Sequence, residues 1–169
     1  LLLSGHVTGA TPIDMAQTTA VLFVCLGNIC RSPLAEAAFR QAADRAGLAV
    51  IVDSAGTGAL HVGNPPDPRA RAQGRAHGID MSHYKARQVA AEDFTRFTHV
   101  FALDRANLTD LEHLRPVGAP AHLGLLLDVL PGHEGQSVVD PYYGGPEDFA
   151  LTWTQVSLAA EALVALLRP

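Results

Sequence analysis

The sequence contains little cysteine, and its cysteines lie close together. Cys25 and Cys30 are the only two in 169 residues. A fold held together by disulfides needs several pairs spread along the chain, and a structural zinc site needs four ligands, so this spacing fits neither class. We therefore expect no metal, no cofactor and two reduced thiols, which is typical of a cytoplasmic protein.

The sequence also lacks an excess of positive charge. It has 12 Lys and Arg against 17 Asp and Glu, a formal net charge of -5. This balance argues against nucleic acid and against an anionic membrane surface as partners. No continuous apolar run reaches the roughly 20 residues that cross a bilayer, so we expect no membrane insertion. If the substrate is an anion, the positive field that binds it must be local.

Residues 1–19 lack the charged start and the long apolar segment of a secretory signal. We interpret them as an N-terminal extension, either flexible or left over from cloning, and residues 20–169 as one domain. Export without a signal peptide stays open. The 169 residues are enough for a single well-formed core.

Strand and helix patterns alternate along this domain. Apolar runs predict strands at 20–24, 48–52, 99–103 and within 121–130, and helices are predicted from 33 to 46, 67–77, 104–114 and 147–167. Ser32 followed by Pro33 is a strong signal for the start of a helix, with Ser32 as its cap. The alternation predicts an α/β fold with a four-stranded parallel sheet flanked by helices on both faces, a doubly wound arrangement whose sites lie at the carboxyl ends of the strands.

The segment from Cys25 to Ser32 lies between the first strand and the first helix and has the spacing C-x5-R. Backbone N–H groups at such a turn can surround one oxyanion, and the planar Arg31 guanidinium matches the geometry of a phosphate. A helix start and a nearby cation favour the thiolate form of Cys25, to which Ser32 could donate a hydrogen bond. Gly27 permits a close backbone approach, and Asn28 can adopt a left-handed conformation that braces the loop.

These residues resemble the low-molecular-weight protein tyrosine phosphatases. The segment Val21 to Glu36, VLFVCLGNICRSPLAE, is similar to the signature of that family, and Asp140 to Gly144, DPYYG, is similar to its general-acid loop. GNPPDPRA at 63–70, HGI at 77–79 and KARQ at 85–88 also match its pattern. The resemblance covers residues 20–168 in order.

The resemblance implies a metal-independent hydrolysis of protein phosphotyrosine. Cys25 is the expected nucleophile, Arg31 the expected phosphate ligand, and Asp140 the expected proton donor and later proton acceptor. It also implies a set of residues that bind phosphate or substrate: Leu26, Gly27, Asn28, Ile29, Cys30, Ser32, Leu60, Tyr142 and Tyr143. Asn28, Ser54 and His77 are expected to form a network that holds the loop.

Several of these residues have simpler interpretations. Asp140 before Pro141 is a common turn former, and Asp104 at a predicted helix start could be only a cap. His77 could be a histidine at a helix end, stabilised by the helix dipole. Cys30 could form a regulatory disulfide with Cys25, or it could be a small core residue.

Three other functions stay in view. Arsenate reductases on this fold also use the C-x5-R spacing, but they resemble enzymes that relay thiols through further downstream cysteines. This chain has no cysteine after Cys30. Phosphoarginine phosphatases tend to have Thr at the position of Ile29, whereas the bulkier Ile resembles the tyrosine-directed members. A non-catalytic phosphotyrosine-binding module would be expected to lack Cys25 or Asp140. Leu60 departs from the family, whose members commonly carry an aromatic residue there.

The expected partner is a tyrosine-phosphorylated protein, such as a tyrosine kinase. We expect the protein to be a monomer or a weak dimer.

Overall fold

The computed structural model describes residues 18–169. Residues 1–17, and with them most of the predicted N-terminal extension, lie outside the described residues. Thr19, at the end of that segment, already joins the fold, because its carbonyl accepts a hydrogen bond from the Ile51 N–H at 2.9 Å.

Four parallel strands form the sheet, as the alternation predicted. They are β1 (Ala20–Cys25), β2 (Ile51–Gly56), β3 (His99–Ala102) and β4 (His122–Leu125), in the spatial order β2-β1-β3-β4. The predicted second strand at 48–52 was misplaced. β2 pairs with β1 from Ala20↔Ile51 to Cys25↔Gly56, so the polar residues Asp53 and Ser54 belong to it. Pairing with the central strand sets these bounds, and hydropathy alone does not reveal it.

Within residues 18–169, five helices connect and cover the strands. They are α1 (Arg31–Arg45), α2 (Pro68–Ala76), α3 (Asp93–Arg96), α4 (Arg105–Leu114) and α5 (Pro146–Leu167), and a 3-10 turn follows β4 at Leu126–Val129. Helix α1 begins two residues before the predicted start at Pro33. Cys30 is its N-cap, without a side-chain cap bond. Ser32 is therefore not the cap, and its hydroxyl is available to Cys25. The short α3 was not predicted.

The central strand β1 is buried on both faces, which makes the fold doubly wound. Val21 and Phe23 belong to a core formed with α1, α2 and α5, where Phe23 meets Phe39 edge to face at 5.7 Å. Leu22 and Val24 belong to the opposite core, which includes Phe94 of α3, Leu111 of α4 and other residues of that layer. Full burial of such side chains contributes about 1.5–3 kcal/mol each.

Helix α5 is long and apolar enough to cross a membrane by length and composition alone, but Glu147, Asp148 and Glu161 interrupt it, so it contains no continuous apolar run of about 20 residues. Its alanines and leucines raise the hydropathy of the outer face. Its inner face, including Phe149, Trp153 and Val156, is buried in the core, and its main neighbour is α1.

Candidate active site

The nucleophile loop, residues 25–32, begins at the end of β1 and enters α1 at Arg31. Its carbonyls accept hydrogen bonds from neighbouring segments: Cys25 O from Thr57 N at 2.8 Å, Leu26 O from Gly58 N at 3.0 Å, and Ile29 O from Asp67 N at 2.8 Å. In a trans peptide the following N–H points the opposite way. The N–H groups of Leu26, Gly27 and Cys30 are therefore directed toward the inner side of the loop, where they can bind an anion.

The Cys25 thiol is buried and hydrogen-bonded within the loop. Its Sγ lies 3.0 Å from the Ser32 Oγ and 3.3 Å from the Asn28 N–H. Asn28 has a φ of 56°, the left-handed conformation predicted for it. Its side-chain amide donates to both Ser32 Oγ at 2.8 Å and Ser54 Oγ at 3.0 Å, while its Oδ1 accepts from the Arg87 N–H at 3.0 Å. Asn28 thus connects the loop to β2 and to residue 87.

This network continues to a buried carboxyl that the sequence did not reveal. Ser54 Oγ donates to Glu36 Oε1 at 2.7 Å, and Arg40 donates to Glu36 Oε2, also at 2.7 Å. Burial raises the pKa of Glu36 above its ordinary value, although the hydrogen bonds from Arg40 and Ser54 oppose that shift. Because Ser54 donates to Glu36, it accepts from Asn28. Ser32 accepts from Asn28 in the same way, so its own proton can be donated to the Cys25 Sγ at 3.0 Å or to the Ala55 carbonyl at 3.4 Å. The sequence signal for Glu36 was a single charged residue within the otherwise apolar segment PLAEAAF at 33–39.

Arg31 is nearly buried, with 6% of its side chain exposed, and it contacts two carboxylates. Its Nη1 lies 2.8 Å from Asp104 Oδ2, and its Nη2 lies 3.6 Å from Asp140 Oδ2. Asp104 does cap α4, accepting from Asn107 N at 2.7 Å. Its pairing with Arg31 was not predicted. The pair fixes the guanidinium at the carboxyl end of the sheet, where β1 and β3 finish.

Asp140 opens the general-acid loop, residues 140–145. Its side chain is 53% exposed, and its Oδ1 accepts from Tyr142 N at 3.2 Å. Gly144 N donates to Pro141 O at 2.9 Å, which closes a turn. The turn-forming and the acidic interpretations of Asp140 are therefore compatible, because one carboxylate oxygen shapes the turn while the other faces Arg31.

A cleft brings together most of the sequence-predicted site residues. Its lining is Cys25, Leu26, Gly27, Ile29, Cys30, Arg31, Leu60, His61, Asp140, Tyr142 and Tyr143. The side chains of Asn28, Ser32 and Ser54 do not line this cleft and act through hydrogen bonds. Leu60 and Tyr143 are almost fully exposed at the rim, and the rings of Tyr142 and Tyr143 meet edge to face at 4.8 Å. His61, next to Leu60, was missed because a lone histidine in a loop carries no pattern.

A more polar pocket lies behind the nucleophile loop, and its lining includes Glu36, Arg40, Asp53, His83 and other polar residues. It lacks both the thiol and the Arg31 guanidinium. The cleft that contains Cys25 is therefore the candidate active site.

The two thiols of the loop differ in environment. Burial raises the pKa of Cys30 to about 12, with smaller contributions from Asp67 and Cys25. Cys30 therefore stays a protonated thiol at neutral pH, and both cysteines are unpaired. Its contribution to the cleft is its backbone N–H and a small apolar surface.

The expectation that His77 joins the network with Asn28 and Ser54 was wrong. His77 is the C-cap of α2, and its ring stacks on Trp153 of α5 with centroids 4.4 Å apart. Its carbonyl accepts from Gln41 of α1 at 3.0 Å. Helix α2 ends between α1 and α5, away from the loop, so the network runs to Glu36 and Arg40 instead.

Comparison with known proteins agrees with this geometry. The family model "Low molecular weight phosphotyrosine protein phosphatase" matches residues 20–168. The protein of that name from Schizosaccharomyces pombe is 43% identical over 145 residues, which are 84% of this chain and 92% of the relative. A protein tyrosine phosphatase structure from Entamoeba histolytica has 35% identity and a TM-score of 0.83, covering 89% of this chain and 97% of the other. An arginine phosphatase structure from Drosophila has 32% identity and a TM-score of 0.83, covering 88% and 98%.

Proposed function

This chain belongs to the low-molecular-weight phosphotyrosine protein phosphatase family, and from this membership we propose that it hydrolyses protein phosphotyrosine through a cysteinyl-phosphate on Cys25. One observation carries the assignment of roles. The Cys25 thiol, the Arg31 guanidinium and the Asp140 carboxyl line one cleft, and Ser32 lies 3.0 Å from the sulfur. The substrates are therefore phosphoproteins, and a tyrosine-phosphorylated protein such as a tyrosine kinase fits the expectation from the sequence.

In the first step, the Cys25 thiolate attacks phosphorus. The S–P bond forms as the bond between phosphorus and the tyrosine oxygen breaks, and Asp140 gives its proton to the departing phenolate. Arg31 and the inner N–H groups of the loop hold the equatorial oxygens as their charge redistributes. These donors supply the positive charge that the acidic chain lacks overall, so the mechanism requires no metal.

In the second step, the Asp140 carboxylate takes a proton from water as the water oxygen attacks phosphorus. The S–P bond breaks, inorganic phosphate leaves, and the thiolate of Cys25 is restored. Ser32 stabilises the sulfur as a leaving group, because its hydroxyl accepts from Asn28 at 2.8 Å and can donate its own proton to the Cys25 thiolate 3.0 Å away.

The flat rings of Tyr142 and Tyr143 provide walls for the aromatic ring of a phosphotyrosine. Ile29 also lines the cleft that contains the thiol. The bulk of its branched side chain suits a rigid ring and leaves less room for a polar guanidinium.

We also place the activity in the cytoplasm, where two reduced thiols persist, and we expect a monomer or a weak dimer.

Phosphoarginine hydrolysis is the second candidate, because the Drosophila arginine phosphatase shares 32% identity with this chain. Two peptides of one sequence, carrying either phosphotyrosine or phosphoarginine, separate the two functions by their kcat/KM ratio. We expect the phosphotyrosine peptide to be preferred, and Ile29→Thr to shift the ratio toward phosphoarginine by about 10-fold. A wild-type preference for phosphoarginine would replace the proposed substrate class. Tight phosphotyrosine binding without turnover would make the chain a binding module.

A further inference from the structure

Arg69, an exposed residue at the start of α2, reaches across to the general-acid loop. Its Nη2 donates to Tyr142 O at 3.0 Å, and its Nη1 donates to Gly144 O at 3.4 Å. The guanidinium also lies over the ring of Phe149, 4.7 Å from the centroid. One side chain therefore contacts two carbonyls of the loop and a core residue of α5.

Asp67 connects Arg69 to the nucleophile loop. The Asp67 carboxylate accepts from Arg69 N at 2.8 Å, Nε at 3.0 Å and Nη2 at 3.0 Å. The hydrogen bond from Arg69 is the main cause that lowers the pKa of Asp67, so the carboxyl remains ionised. The Asp67 N–H donates to Ile29 O at 2.8 Å. Residues 67–69 thus join the loop of Cys25 to the loop of Asp140.

The two ends of the general-acid loop have other anchors. Val139 N donates to Gln155 Oε1 at 2.8 Å, and Val139 O accepts from Thr152 Oγ1 at 2.8 Å, which fixes the entry to the loop on α5. Gly145 N donates to Asp148 Oδ2 at 3.0 Å, which fixes the exit. Within residues 18–169, Arg69 makes the only hydrogen bonds that reach residues 140–144 from outside the loop.

We propose that Arg69 is a positioning residue for the reaction: by clamping the Tyr142 and Gly144 carbonyls, it holds Asp140 where a leaving oxygen needs its proton. The inference rests on the proposed function, because it assigns no chemistry to Arg69 itself. A proton donor acts only within hydrogen-bond reach of the leaving oxygen, and a displacement of about 1 Å in a catalytic group can cost much of its effect. The 3.6 Å ion pair of Asp140 with Arg31 is too long and too exposed to fix the carboxyl alone.

The clamp depends on the guanidinium fork. The two coplanar Nη atoms of Arg69 donate to the Tyr142 and Gly144 carbonyls at the same time, while the same guanidinium also donates to the Asp67 carboxylate. A lysine keeps the charge but offers a single ammonium point and cannot reproduce this arrangement. Arg69→Lys should therefore behave like Arg69→Gln.

The test measures kcat/KM over a series of aryl phosphates whose leaving groups differ in pKa. Good leaving groups depart without full protonation, so only poor ones need a well-placed Asp140. For Arg69→Gln and Arg69→Lys we expect a loss of about 10-fold with phenyl phosphate and of less than about 2-fold with p-nitrophenyl phosphate, which steepens the dependence on leaving group. Arg75→Gln removes an exposed positive charge from the same helix and should leave that dependence unchanged.

A double-mutant cycle then asks whether Arg69 acts through Asp140. In the Asp140→Asn background, Arg69→Gln should cause no further leaving-group-dependent loss. Inhibition by inorganic phosphate should be unchanged in both Arg69 variants, because the phosphate cradle stays intact. If Arg69→Gln does not fold, Arg69→Lys carries the same comparison.

Three results would overturn the clamp. The first is an equal loss of kcat/KM with every leaving group, and the second is an undiminished effect of Arg69→Gln in the Asp140→Asn background. The third is a dependence of kcat/KM on leaving-group pKa in Arg69→Lys whose slope equals that of wild type. Failure of the proposed function looks different. Wild type would then release no phosphate, or Asp140→Asn alone would leave the slope unchanged, whatever Arg69 does.

Discussion

The nucleophile loop and the general-acid loop meet at one cleft but are held in different ways. In the nucleophile loop, Cys25 and Arg31 are buried, and the single side chain of Asn28 makes hydrogen bonds to Ser32, Ser54 and the Arg87 backbone. In the second, the Asp140 side chain is 53% exposed, and its loop depends on a turn and on an arginine from another helix.

This difference matches what each loop must do. A cradle for phosphate works by fixed donors that need no rearrangement during the reaction. A proton donor serves two steps and must admit the substrate ring and then a water molecule. The buried loop should therefore affect both stability and activity, whereas the exposed loop should affect activity with little effect on stability.

The largest expected effect comes from Asp140→Ala. We expect kcat/KM for phosphotyrosine to fall by about 10²- to 10³-fold, the usual contribution of a general acid, with a change in unfolding free energy of less than about 0.5 kcal/mol. Steady-state kinetics and urea unfolding measure the two quantities. Asp110→Ala, on the exposed side of α4, is the matched control and should alter neither. A loss of several kcal/mol in Asp140→Ala would remove the distinction between the loops.

Asn28→Ala should produce a smaller kinetic effect and a larger loss of stability. It removes the bonds to Ser32 and Ser54 and places alanine, which tolerates the left-handed region less well than asparagine, at a φ of 56°. We expect unfolding free energy to fall by about 1–3 kcal/mol and kcat/KM to fall by about 10-fold.

Asn28→Gly separates the two causes, because glycine adopts this φ without strain but makes no side-chain bonds. It should recover part of the lost stability and none of the lost activity. Full recovery of activity in Asn28→Gly would show that the side-chain network does not position the sulfur.

The smallest expected effect is a pH dependence of stability from Glu36, the carboxyl at the end of that network. Burial raises its pKa above the ordinary 4.5. As pH rises from 4.5 toward that raised value, the unfolded chain loses this proton before the folded protein does, so Glu36 lowers the unfolding free energy over this window. Below pH 4.5 this contribution to stability is fully present.

Glu36→Gln should lack this decrease of unfolding free energy with rising pH, and urea unfolding at several pH values measures the slope. Glu112→Gln, an exposed residue of α4, is the matched control and should keep the slope of wild type. Identical slopes in wild type and Glu36→Gln would contradict the assignment.

The parts of the site that are local in sequence could be predicted. Cys25, Arg31 and Ser32 follow from one spacing between a strand and a helix, and the left-handed Asn28 follows from its position in that turn. Asp140 was assigned through the resemblance to a family, since an Asp-Pro pair by itself indicates only a turn.

The long-range contacts could not be predicted. Arg31 pairs with Asp104, and Arg69 bonds Tyr142, each 73 positions away. Such pairs depend on which strand ends and helix starts meet, and no periodicity of the sequence encodes that. His77 was misassigned for the same reason, because its place beside Trp153 follows from the packing of α2 against α5.

The most direct test of the account is to trap the covalent intermediate. Wild-type protein is mixed with a phosphotyrosine peptide in excess chelator, quenched in denaturant during turnover, and its phosphate mapped by mass spectrometry of peptides. We predict phosphate on Cys25, none on Cys30, no adduct in Cys25→Ser, and a persisting Cys25 adduct in Cys30→Ser. Turnover without phosphate on Cys25, or turnover abolished by the chelator, would contradict the mechanism.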